Sequence, residues 1–172
     1  MVSHTFPGIA PIVISTRTFD SFLQKIFEGK AYQTGIQNTS PAVGGQFVGI
    51  RVTNPLASTV NLYIVKVRAR CTAASRFEIG KPISPLEAAL ATALSVDPKL
   101  TGQGAGQGVA SQAANLVGQP VGFPEQQIGL QPNQSTETLL GIILKPNSSL
   151  DLQFSDTVAT DVMSYTIEWY EE

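Results

Sequence analysis

The chain has 172 residues, enough for one domain with a sizeable core, and its 11 basic and 13 acidic residues leave a net charge of -2. That balance lacks the basic footprint of a nucleic-acid binder, one cysteine excludes an intrachain disulfide framework, and one histidine leaves little material for a zinc site or a His-based triad. Charged residues make up only 14% of the chain, against about 25% in ordinary soluble domains, a depletion that suits a protein burying much of its outside against neighbours.

Residues 1–17 mix Pro, Gly and apolar side chains without a clear period. They are expected to form an extended arm with a short strand-like piece at 12–16. There is no basic region followed by an apolar stretch to mark a signal peptide, and no apolar run approaches the ~20 residues of a membrane-spanning helix. Next, Phe19, Phe22, Leu23, Ile26 and Phe27 recur at the spacing of one helical face, which predicts a helix over 19–28. Thr18 is its expected N-cap and Gly29 its stop. The arm and helix together are expected to occupy 1–43.

From residue 44 the period changes to two, and 44–172 is expected to be a single sandwich domain. Val48, Ile50 and Val52 alternate with Gly49, Arg51 and Thr53. A turn at Asn54-Pro55 leads to "VNLYIVKVRARC", and the pair reads as a hairpin. Arg68 and Arg70 on this strand are expected on a solvated face, and Cys71 as a small apolar filler. "SRFEIG" adds a short strand with Phe77 and Ile79 inward. In "SPLEAALATAL", Ser84 as N-cap, Pro85 at N1 and Glu87 at N3 predict a second helix over 84–95, striped by Leu86, Leu90 and Leu94.

A nearly uncharged Gly/Gln-rich stretch at about 98–135 then reads as an insertion, either mobile or ordered by what it touches. Strands resume at "TETLLGIILKP" and "NSSLDLQFS", where Leu150, Leu152 and Phe154 alternate with Asp151 and Gln153; Asn147-Ser148 reads as a hairpin turn. The last strand buries Met163, Tyr165, Ile167 and Trp169, with Glu171 and Glu172 expected in water. The expected fold is therefore mainly β: an antiparallel, jelly-roll-like β-sandwich with one or two short helices and an N-terminal arm. Its core is expected to hold Val48, Ile50, Val52, Leu150, Leu152, Phe154, Tyr165, Ile167 and Trp169.

Chemistry is scarce. His4 lies in the arm, away from any rigid scaffold. "GQGAGQG" at 102–108 misses the glycine spacing of a dinucleotide loop and lacks a leading strand, so it reads as a flexible loop. Asp151, Asp156 and Asp161 lack the spacing of a calcium loop and read as solvated turn carboxylates. Tyr32, Tyr63, Tyr165, Trp169 and Tyr170 offer material for a sugar-stacking platform, though aromatics on strands belong more often to a core. No catalytic residue, cofactor or metal is expected.

The segments "GKAYQTG", "GGQFVGIRVTNPLASTVNLYIVKVRARCTAASRFEIG", "LKPNSSLDLQF" and "SYTIEWYEE" resemble those of small phage virion proteins with a β-sandwich body. The similarity runs over most of residues 19–172 and is most specific at Asn54-Pro55 and the terminal "EWYEE". It implies a structural virion protein assembled in the host cytoplasm. The foremost role is a capsid decoration or cement protein; the alternative is a tail, fibre or baseplate component. A carbohydrate-binding module remains a third possibility. The implied partners are further copies of the chain, as a trimer, and the major capsid protein, with no nucleic acid and no membrane. The apolar residues expected at such interfaces are Phe6, Ile9, Phe19, Phe22, Phe27, Leu116, Val117 and Phe123.

Overall fold

The computed structural model describes residues 16–82, 91–99, 104–118, 121–155, 157–159 and 161–172. It opens with helix α1, Thr16–Phe27, whose apolar stripe packs inward through Phe22 and Ile26. The helix starts before the expected Thr18 cap, which lies inside it. Its other end stops as expected. Gly29 takes φ 70°, the Gly29 amide donates to Ile26 O at 3.0 Å, and the Lys30 amide donates to Lys25 O at 2.9 Å. This is a Schellman closure, and glycine enters it without the Cβ penalty of a positive φ.

The strands are β1 (Ala31–Thr39), β2 (Phe47–Asn54), β3 (Leu62–Cys71), β4 (Ser75–Pro82), β5 (Ala91–Leu94), β6 (Asp97–Pro98), β7 (Val109–Leu116), β8 (Val121–Leu130), β9 (Ser135–Leu144), β10 (Ser148–Ser155) and β11 (Met163–Glu171). They form a five-stranded sheet, β6-β1-β11-β3-β9, and a six-stranded sheet, β5-β7-β2-β10-β4-β8. The described pairings are antiparallel. One core joins the two sheets, as a β-sandwich requires. Phe154 of the larger sheet stacks on Tyr165 of the smaller at 5.4 Å between centroids, with Phe77 tilted against both. All nine expected core residues, Val48 to Trp169, are buried in it. β11 is the middle strand of its sheet.

Four expectations need correction. The boundary at 43/44 does not hold, because β1 pairs with β11 from Ala31↔Tyr170 to Thr39↔Met163 and so belongs to the sandwich. Residues 98–135 are no insertion: β7 and β8 within them are ordinary members of the larger sheet, on β2 and β4. The helix over 84–95 fails at its end, where Ala91–Leu94 pairs with β7; residues 83–90 lie outside the described set. Tertiary pairing there overrides local helix preference. Finally, the two hairpins are arches. β2 and β3 lie in different sheets, as do β9 and β10, and among the described strands no two consecutive ones are hydrogen-bonded neighbours.

Asn54 shows how the arches are held. Its Nδ2 donates to Val60 O at 2.8 Å and to Leu144 O at 2.9 Å, while its own carbonyl accepts the Asn147 amide at 2.9 Å. One buried amide therefore ties the β2–β3 crossover to the β9–β10 crossover. A third crossover, β3–β4, is tied by Asp161. Its carboxylate accepts from the Thr72 and Ala73 amides and from the Thr72 and Ser75 hydroxyls, at 2.6–2.9 Å.

Cys71 sits against this turn, fully buried, with Sγ 3.8 Å from Gln131 O. Burial pushes its thiol above the ordinary value, which lowers the thiolate fraction that reacts. The native protein should therefore resist a thiol-exchange reagent at pH 8 and react with one equivalent after denaturation. Rapid labelling of the folded protein would contradict this burial.

Candidate interaction surface

The outer face of the five-stranded sheet is divided along its length. At one end α1 lies on Ala31, Tyr63, Val65 and Tyr170 through Phe22 and Ile26. Tyr63 and Tyr170 stack beneath it, 4.7 Å apart and 2° from parallel. Val65 is the extra residue of a bulge on β3, which is why it and Lys66 share this face. Next comes the Glu168 carboxylate, buried among cations: Lys99 at 3.1 Å, Lys66 at 3.4 Å and Arg68 at 3.9 Å. Beyond it the face opens into a mixed cleft of about 410 Å3, where Arg68, Arg70, Ser164 and Thr166 line the wall beside Ile36 and Tyr165. Arg68 and Arg70 are exposed there, as expected, and Arg68 reaches Glu137 at 2.5 Å. The guanidinium holds that carboxyl below its ordinary value.

The carboxylates expected in solvent are elsewhere. Asp151 is buried and takes a two-pronged contact from Arg51, Nε to Oδ1 at 2.6 Å and NH2 to Oδ2 at 2.5 Å. Asp161 is buried in the turn described above, and Asp156 lies outside the described residues. Glu171 is likewise buried, not in water. It accepts the Gln107 and Gly108 amides at 2.9 Å and approaches Trp169 Nε1 at 3.4 Å. The described part of the glycine stretch, 104–108, is thus strapped onto Trp169 instead of hanging free. A Cβ on Gly106 would sit 2.6 Å from Glu171 Oε1, and one on Gly108 would sit 3.2 Å from Trp169 Nε1, so glycine is needed for this approach. Among the described residues no cluster of three or more His, Cys, Asp or Glu is placed to hold a metal.

The expected aromatic platform is spent on packing. Tyr32, Tyr165 and Trp169 lie in the main core, and Tyr170 is buried and stacked on the half-buried Tyr63 under α1. The expected interface residues divide. Phe22 is buried under α1 and Leu116 is buried with Ala113 beside Phe47, so both serve the fold. Their strong apolar character is equally what a core demands. Phe27 and Val117 are 81% and 77% exposed. Phe6 and Ile9 lie outside the described residues, as do the side chains of Phe19 and Phe123.

Sequence reasoning read β9 as a strand but missed its exposed apolar face. Along STETLLGIIL, exposure alternates strictly, and Leu139 and Ile143 are each 52% exposed on the same face as α1. Leu139 pairs with Lys66 and Ile143 with Tyr63, both outward residues of β3. The other long side of β9 is a sheet edge among the described residues. The signal was apolar residues on both faces, Leu139, Leu140, Ile142, Ile143 and Leu144, on a strand with Glu137 as its one charge, and it reads equally as a buried strand. No helix among the described residues is long and apolar enough to cross a membrane. Comparison with models of known protein families, with curated proteins and with solved structures finds no match.

Proposed function

We propose that this chain is a structural component of a bacteriophage particle, a decoration or cement protein that binds the outside of the capsid. The observation that carries the reading is the set of large apolar side chains left outside a core that is already complete. Leu23 and Phe27 of α1, with Leu139 and Ile143 of β9, belong to elements on one side of the smaller sheet, and Phe27 is the most exposed of them. Large apolar side chains left exposed on one side of a folded body mark a surface meant for a partner. The low charge fraction and the resemblance of the strand segments to phage virion proteins agree with it. The role is binding, with the buried carboxylates serving as ties within the fold. The partners are further copies of the chain and the major capsid protein.

The test is where the chain sits in particles of the phage that encodes it. Density over the capsomers at high copy number is expected. Density at the tail tip at low copy number would instead assign it to the tail, and absence from the particle would overturn both. Phe27→Ser should leave the melting temperature within about 2 °C of wild type, as for an exposed site, and weaken binding to undecorated shells at least tenfold. Unchanged binding would remove Phe27 from the interface.

A further inference from the structure

β9 is ten residues long and, among the described residues, ends the smaller sheet with an unshared row of backbone groups. Natural sheets usually protect such an edge with proline, inward charges, short length or a covering segment. β9 has no proline, and its lone charge, Glu137, points outward with Leu139 and Ile143. By contrast, the edges of the larger sheet are the four-residue β5 and the proline-containing β8. The geometry points to a second copy of this chain as the occupant of the β9 edge, paired antiparallel about a twofold axis through Gly141.

Self-complementarity selects both the partner and the register. In an antiparallel pair of identical strands about Gly141, the two paired residue numbers sum to 282. Residue 139 then faces 143 of the other copy, and 137 faces 145. On the outer face this sets Leu139 against Ile143 twice, and Glu137 against Lys145 twice. Lys145 is exposed immediately beyond the strand, and Pro146 follows to end the ladder. Apolar and opposite-charge cross-strand pairs are the favourable ones. Shifting the sum to 280 sets Glu137 against Ile143. An odd sum sets outward residues against inward ones and breaks the match of faces. A Cβ placed on Gly141, at the axis, would meet nothing within 4 Å, so the strands approach there without obstruction from its own chain. The contact is isologous and closes as a dimer, and it joins two five-stranded sheets into one continuous ten-stranded sheet. The twofold pairing replaces the threefold assembly expected from the family resemblance, and it does not depend on the capsid reading.

The full chain in sedimentation equilibrium should show twice its 18.3 kDa mass. Leu139→Lys/Ile143→Lys, at half-exposed sites, should show the single-chain mass with an unchanged circular dichroism spectrum. Gly141→Cys should form a disulfide-linked dimer on mild oxidation, while Leu139→Cys should not, since residue 139 faces 143 and not itself. A wild-type monomer or trimer would overturn the proposal. So would a dimer that survives the double lysine change, or one that cross-links through Leu139→Cys and not through Gly141→Cys.

Discussion

Trp169→Ala should lower stability by ~3–5 kcal/mol, the usual range for emptying a large aromatic site in a core. For a domain of this size that is a fall in melting temperature of roughly 6–20 °C. Trp169 is fully buried in the central strand of its sheet. Its ring lies 6.2 Å from Tyr32, and its indole N–H meets Glu171, which also holds the amides of Gln107 and Gly108. Removing it therefore opens a cavity in the main core and loosens the glycine strap. Trp169→Phe should lose less, because most of the ring volume stays. Thermal unfolding followed by circular dichroism decides the matter, since the change removes the only tryptophan. An alanine variant that melts within 2 °C of wild type would mean that the site is not the keystone of the core.

The core was legible because sheet burial leaves a period of two in the sequence. Val48, Ile50 and Val52 lie beside Leu150, Leu152 and Phe154 in an unbroken register, and both sets were readable from alternation alone. The connections were not. Asn54-Pro55 and Asn147-Ser148 are sound turn signals, but a turn between two half-buried strands serves a hairpin or an arch equally well. What selects the arch here is a long-range tie, the Asn54 side chain to Leu144 O, ninety positions along the chain. β7 was invisible for another reason. In VASQAANL two of the three buried places, Ala110 and Ala113, are alanine, which carries little apolar contrast with Ser and Gln. In the same way, the glycines at 106 and 108 look like slack when read alone and become necessary once Trp169 and Glu171 lie against them.

The surface was the least legible part. A large apolar residue carries the same letter whether it fills a core, as Phe22 does, or faces solvent, as Phe27 does five positions later on the same helix. Only the packed geometry separates them. The buried carboxylates were misread for a similar reason: Asp151 alternates with Leu150 and Leu152 as an outward strand residue would, and the partners of Asp151 and Asp161 come from distant strands and turns.

Arg51→Met should cost ~3–5 kcal/mol at neutral pH, because removing one member of a buried ion pair leaves the other charged and without its partner in a medium that solvates it poorly. Asp151 has no exposed surface, while Arg51 is only slightly exposed and grips it with two donors. Burial already pushes the Asp151 carboxyl above its ordinary 3.8, with the guanidinium pulling the other way. Taking the guanidinium away should raise the folded value further. The sign of the pH dependence follows from this. A carboxyl raised in the folded state favours folding fully below its unfolded value and loses that contribution as pH rises through the folded value. The variant should therefore be weakest relative to wild type at pH 7, and the difference should shrink on acidification towards pH 4. Arg51→Met/Asp151→Leu should recover much of the loss at pH 7, since no buried charge is then left to compensate. Denaturant titrations of the three proteins at both pH values test this. A deficit in Arg51→Met that is equal at pH 4 and pH 7 would show that Arg51 contributes through packing alone and that Asp151 does not feel its charge.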